Sequence, residues 1–181
     1  YEEEPISKDL SLFNDYSSYP YIGHIQEYAN KAGLLKANEE VMGVVLKGVS
    51  KTFDLENFGP NIIRGTFPNL LDTATSDDIM ISQNIANKLS LSIGEDALLY
   101  FIQNPPRVRK LKICGIYETG MEDFDEKIIL GDIRLIQRIN NWPDSLVGGF
   151  EIFLNDFDRI DFYESQLEDI VGYELYIEKI S

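Results

Sequence analysis

The tetrapeptide Gln103-Asn104-Pro105-Pro106 is the strongest single constraint on how this chain folds. Neither proline can donate to a β-ladder, so Asn104, Pro105 and Pro106 must form the tip of a hairpin, with arms over 97–103 and 107–117. The segment before it is equally explicit. Ile79, Met80 and Ile81 form a short apolar run, and Ser82 then stands where a hydroxyl caps the free N–H groups of a helix. Ile85 and Leu89 lie one turn apart on one face of that helix, and Gly94-Glu95-Asp96 turns the chain into the first arm. Residues 77–117 thus read as strand, helix, strand, tight turn, strand, with no catalytic motif.

The flanking segments follow the same grammar less strictly. Pro5-Ile6-Ser7 reads as a helix entry capped by Ser7, ended by Tyr19-Pro20. A long segment over 22–35 reaches Asn38-Glu39-Glu40, which turns it into a β-branched run over 41–49 and makes a second hairpin, partnered with the first. Residues 50–76 read as a helical turn, a brief strand around Ile62-Ile63 and a surface loop at 72–76, a crossing between two lobes. Beyond 117 come an acidic loop over 120–126, a strand over 128–130 and a helix capped by Asp132 with Ile133, Ile136 and Ile139 on one face. Asn140-Asn141-Trp142-Pro143 stops that helix. A strand over 150–154 precedes a last helix, started by Asp156 or Asp158 and ended by Gly172, and a closing strand over 173–177. Hairpins mixed with β-α-β units point to an α+β fold.

Composition removes several function classes. Against 16 basic residues stand 31 acidic ones, and the formal net charge of −15 repels phosphate backbones, which excludes nucleic acid as the main partner. The longest apolar runs, over 41–46 and 97–102, fall far short of the ~20 residues of a spanning helix. The opening Tyr-Glu-Glu-Glu, with neither an initiator Met nor a signal peptide, reads as the start of a piece of a longer protein. A single cysteine, Cys114, allows no internal disulfide and no cysteine-based metal site.

Few residues offer chemistry. His24 is the only histidine and is expected to be structural or solvent-facing. Cys114, between Ile113 and Gly115-Ile116, is expected to be a packed structural thiol. The run Glu122-Asp123-Phe124-Asp125-Glu126 lacks the ligand spacing of a calcium loop and reads as a solvated acidic loop. No phosphate-binding loop, dinucleotide fingerprint or nucleophile elbow occurs, and no carboxylate pair stands out, so no catalytic residue, cofactor or metal site is assigned. Arg107, Arg109, Lys110 and Lys112 form the one basic patch, either as decoration against edge pairing or as a docking point for an acidic surface.

Several stretches together resemble the extracytoplasmic domain of ABC-transporter permeases of the lipoprotein-releasing and macrolide-exporter type, the MacB-like and FtsX-like family. They are VVLKGVS (44–50), IIRGTFPN (62–69), DIMISQNIANKLSLSIGE (78–95), KLKICGIYETG (110–120) and IILGDIRLIQRI (128–139), about half the chain. The resemblance implies a two-lobed MacB-like periplasmic core domain, with one lobe from 1–58 and 148–181 and an inserted middle lobe over 59–147. It implies a periplasmic domain of an inner-membrane permease, without enzymatic activity. A separate cytoplasmic ATPase and a second permease subunit would be its partners through the full-length protein. Motion of the membrane helices would be passed to a lipoprotein or periplasmic carrier. In one permease of the lipoprotein-releasing pair, the matching hairpin carries a long carrier-hooking loop, whereas here only Gln103–Pro106 joins the arms. Asn104, Pro105, Pro106, Arg107 and Arg109 are the expected partner-binding residues. An export permease, a regulator of a cell-wall hydrolase and, outside this family, a secreted hydrolase using acidic residues are the alternatives. The isolated domain is expected to be a monomer.

Overall fold

The fold is built on one long hairpin. In this computed structural model, which describes residues 4–171, β2 (Ile22–Ala37) and β3 (Glu40–Val49) pair antiparallel from Tyr28↔Val49 to Ala37↔Glu40. Asn38 and Glu39 join them with φ of 52° and 66°, the doubly left-handed turn that matches the twist of paired strands. Asparagine adopts this backbone more readily than most residues. Its carboxamide also donates to the carbonyls of Leu89 and Ser90, at 3.0 and 2.9 Å, which ties the turn to the end of a helix.

Around this hairpin the other elements follow in chain order. They are β1 (Ile6–Ser7), α1 (Ser11–Asn14), α2 (Leu55–Phe58), β4 (Ile62–Gly65), β5 (Asp78–Ser82), α3 (Gln83–Leu89), β6 (Asp96–Phe101), β7 (Arg107–Tyr117), α4 (Glu122–Asp125), β8 (Ile128–Asp132), α5 (Ile133–Ile139), β9 (Leu146–Val147), β10 (Gly149–Leu154) and α6 (Ile160–Val171). The main sheet runs β10-β2-β3-β8-β5-β7-β4, and β6 pairs with both β2 and β7. The hydrogen-bonded path β2-β3-β8-β5-β7-β6 therefore returns to β2 and closes a six-stranded ring. The two hairpins meet through Leu34↔Tyr100, Leu35↔Leu99 and Lys36↔Leu98, the partnership expected from the sequence.

Two β-α units of equal length sit at the heart of the ring. β5–α3 and β8–α5 each combine a five-residue strand with a seven-residue helix, and β5 meets β8 antiparallel at Met80↔Leu130. Each unit turns on the last residue of its strand. Ser82 accepts from Ile85 N at 3.0 Å and Asp132 from Arg134 N at 2.9 Å, so both expected caps are in place. The two helices pack against the inner face of the ring, where Leu35, Leu46, Ile79, Ile81, Leu99 and Ile113 are fully buried. Gly48 permits this contact, because a Cβ there would lie 2.7 Å from Ile133 Cα.

Two smaller clusters complete the packing. Part of the ring's outer face is covered by Phe58, Phe67 and Phe124 over Met80, Tyr117 and Leu130. At the other side Leu12, Ile22, Ile25 and Leu167 join α1, β2 and α6.

Two expectations need correction, and one element was unannounced. Pro5-Ile6-Ser7 does not open a helix: Ile6 and Ser7 pair with Val147 and Leu146, and the helical turn starts only at Ser11. Ser7 instead accepts from Asp9 N at 3.1 Å. The acidic stretch is only in part the solvated loop expected: Glu122 and Asp123 are exposed, but Glu122–Asp125 form a helical turn and Asp125 is buried. Its carboxylate accepts from Thr119 N, Thr119 Oγ1 and Gly120 N, at 2.6 to 3.2 Å, which satisfies the buried charge. The unannounced element is β9, whose two residues carry too little periodicity to signal a strand. The helix end at Gly172 and the strand over 173–177 lie outside the described residues.

Candidate functional site

The hairpin of β6 and β7 has the expected tip. Register runs from Asp96↔Lys112 to Phe101↔Arg107, leaving 102–106 as the connection, with a cis Asn104–Pro105 bond. Alternation along β6 is strict: Ala97, Leu99 and Phe101 are buried while Asp96 and Tyr100 are exposed.

This pleat divides the basic patch. Arg107 and Arg109 lie opposite Phe101 and Leu99 on the inward-facing side, both half-buried. Lys110 and Lys112 point outward and are exposed. Lys110 approaches Asp96 at 3.6 Å in an exposed pair that contributes little. Arg109 Nη1 donates to Val108 O at 3.0 Å, and neither arginine has an ion-pair partner among the described residues. Asn104, Pro105 and Pro106 sit at the tip, so the five expected residues are brought together at one end of the molecule.

The remaining residues of chemical interest are occupied structurally. His24 Nε2 lies 2.8 Å from Thr52 O and 3.2 Å from Gln26 Oε1, holding β2 to the segment after β3. It lines an open cleft of about 430 Å³ with Phe13, Tyr16, Thr52 and Asp54. Asp54 there accepts from Asn57 N at 3.3 Å and caps α2. Among the described residues no group of three or more His, Cys, Asp or Glu side chains is placed to hold a metal ion.

Cys114 donates its thiol to Ile79 O at 3.3 Å, and burial pushes its pKa up to about 12, with Asp78 adding to the effect. The thiolate is the nucleophile, so this sulfur is unreactive near neutrality. Alkylation by iodoacetamide at pH 8 is expected to proceed only after unfolding in urea, with mass spectrometry as the readout. The same shift makes folding proton-linked. Between about pH 9 and 12 the unfolded thiol ionises while the folded one does not, so this contribution to stability is lost as pH rises through that range.

Two polar contacts escaped the sequence. Lys47 Nζ reaches Glu151 Oε1 at 2.7 Å, linking β3 to β10 across β2, and Gln26 Nε2 donates to the same oxygen at 3.3 Å. Asp132, almost fully buried, pairs with Arg134 at 2.7 Å and accepts from Ser76 N at 2.9 Å. Arg134 Nη1 in turn donates to the carbonyls of Asp72 and Thr73, at 2.8 and 3.1 Å, so the pair latches the long loop before β5. Glu151 for Lys47, Ser76 for Asp132, and Asp72 and Thr73 for Arg134 lie too far off in sequence to leave a local signal.

The chain has the fold of extracytoplasmic domains of ABC-type transporter permeases. It superposes on the extracellular domain of the noncanonic ABC-type transporter YknZ from Gram-positive bacteria with a TM-score of 0.60 and 14% identity, over 87% of this chain and 78% of that one. The periplasmic region of MacB from Actinobacillus actinomycetemcomitans gives a TM-score of 0.56 at 13% identity, over 91% and 73%. A domain of a putative permease protein from Porphyromonas gingivalis gives 0.51 at 14% identity, over 88% and 68%. No protein-family model matches the chain, and no curated protein matches it in sequence. The α+β architecture is thus the MacB-like one expected from the sequence stretches. No helix among the described residues is long and apolar enough to cross a membrane.

Proposed function

We propose that this chain is the extracytoplasmic domain of an inner-membrane ABC-transporter permease, a non-catalytic element that passes ATP-driven motion of membrane helices to a lipoprotein or periplasmic partner. The observation that carries this reading is the superposition on three separate permease domains over most of the chain. A cytoplasmic ATPase and a second permease subunit would act with it through the full-length protein. The separate cluster of Leu12, Ile22, Ile25 and Leu167 supports a membrane-proximal part drawn from both 1–58 and 148–181, while the far ends of β2 and β3 share the ring and its core with 59–147, the proposed inserted part. A second reading of the same class is a MacB-like export permease domain, supported by the fold shared with the MacB periplasmic region.

Tests address the class and the site separately. Alkaline phosphatase joined within this segment of the full-length protein is expected to be active outside the cytoplasm, and the protein is expected to co-purify with an ATPase subunit. A cytoplasmic reporter and no bound ATPase would sink the reading. At the hairpin, Arg107→Glu with Arg109→Glu is expected to slow transport severalfold by weakening binding of an acidic partner, with far-ultraviolet circular dichroism checking that these half-buried positions accept the change. Unchanged transport would reduce the two arginines to surface decoration.

A further inference from the structure

The outer face of the ring is covered at one end and bare at the other. Where Phe58, Phe67 and Phe124 lie over Met80, Tyr117 and Leu130, the strands are sealed. Towards the β2–β3 and β6–β7 turns no helix or loop among the described residues covers them, and apolar side chains stand in the open. Leu34, Tyr100 and Val108 face one another in register across β2, β6 and β7, and are 36%, 36% and 45% exposed. Ile102 extends the row at the tip, 80% exposed. One register step away, Lys36↔Leu98↔Lys110 places a lysine on each side of a half-buried leucine. Lys36 has no ion-pair partner among the described residues.

We infer that this bare face, the row Leu34–Tyr100–Val108 with Ile102 bordered by Lys36 and Lys110, docks an acidic amphipathic helix of a partner protein. Width and charge identify the occupant. Three strands at ~4.8 Å spacing make an apolar row about 10 Å across, the breadth of one helix. Contiguous exposed apolar residues rimmed by polar ones mark interaction sites. Basic side chains beside such a row, in a chain of net charge −15, select Asp and Glu on the flanks of the helix. Asp96 engages Lys110 at 3.6 Å, but Lys112, opposite Asp96 in register and exposed on the same face, keeps the border net basic, and screening over ~8 Å lets a narrow segment respond to this local balance. A second copy or an anionic bilayer would instead meet the acidic field of the whole molecule. The inference needs only exposure and charge, and stands whether or not the transporter reading does.

The test uses the 181-residue chain and two labelled peptides of about 18 residues, each with a leucine stripe at helical spacing, one flanked by Glu and one by Lys. Fluorescence anisotropy is expected to show saturable binding of the Glu peptide only. Lys36→Glu with Lys110→Glu should weaken it about tenfold, and Ile102→Ser with Val108→Thr about fivefold. Far-ultraviolet circular dichroism checks that the variants fold, and Lys36→Ala gives a milder change with the same expected direction. Equal binding of both peptides, no binding of the Glu peptide, or binding indifferent to these substitutions would overturn the inference. So would self-association, or adsorption to phosphatidylglycerol vesicles, that depends on the same residues.

Discussion

Replacing Gly48 with valine is expected to lower the unfolding free energy by about 3 kcal/mol, the upper part of the range for overpacking. The reason is what the new side chain meets. A Cβ at this position falls 2.7 Å from Ile133 Cα and 3.3 Å from Ile133 N, so the obstacle is the backbone that starts α5. A flexible side chain could swing aside, whereas a helix capped at Asp132 and packed through Ile133, Ile136 and Ile139 cannot move alone. Urea denaturation should show a lower midpoint with an unchanged slope. Gly43→Ala provides the contrast, because nothing lies within 4 Å of its Cβ position, and a midpoint shift as large as that of Gly48→Val would refute the steric account.

Asp132→Ala is expected to cost a similar amount through a different mechanism. The carboxylate caps α5, accepts from Ser76 N and neutralises Arg134, whose guanidinium hydrogen-bonded to it is held protonated above its ordinary range. Loss of a buried pair's acidic partner costs roughly 3–5 kcal/mol when both charges are dry. Arg134 keeps some contact with water, its side chain 21% exposed, so about 3 kcal/mol is the expected figure. The variant carries a second signature. With the latch to Asp72 and Thr73 weakened, limited proteolysis should cut between 66 and 77 faster than global unfolding allows. Parallel changes in loop cleavage and global stability would argue against a local latch.

How much of this was legible beforehand depended on the range of the causes. The Asn104–Pro106 turn, the caps Ser82 and Asp132, and the buried stripe of α5 rest on chemistry within a few residues, and each lies where its sequence places it. Asn38-Glu39 was legible as a turn for the same reason. Distant pairing was different. Ile6 and Ser7 become a strand only because Val147 and Leu146 lie beside them. The inward turn of Asp125 depends on donors at Thr119 and Gly120, inside a run whose composition alone spoke for solvent. Arg107, Arg109, Lys110 and Lys112 form one patch in sequence and two faces on a strand, because the pleat sorts odd from even positions. The bare row across β2, β6 and β7 was invisible for the same reason, since it needed the register of three strands.

The closed ring also has a mechanical meaning. β2 belongs to it through both β3 and β6, and on the edge it offers β6 it also carries β10, from which the chain leaves the sheet. A pull along β2 loads its antiparallel hydrogen bonds with β3 in shear, so that many must break together instead of unzipping one by one. Around the ring each strand has two neighbours, the link between β5 and β8 resting on the single pair Met80↔Leu130. In the proposed role between moving membrane helices and an outside partner, the ring would serve as a stiff lever, in which a push at one end reaches the β6–β7 hairpin as movement rather than as deformation.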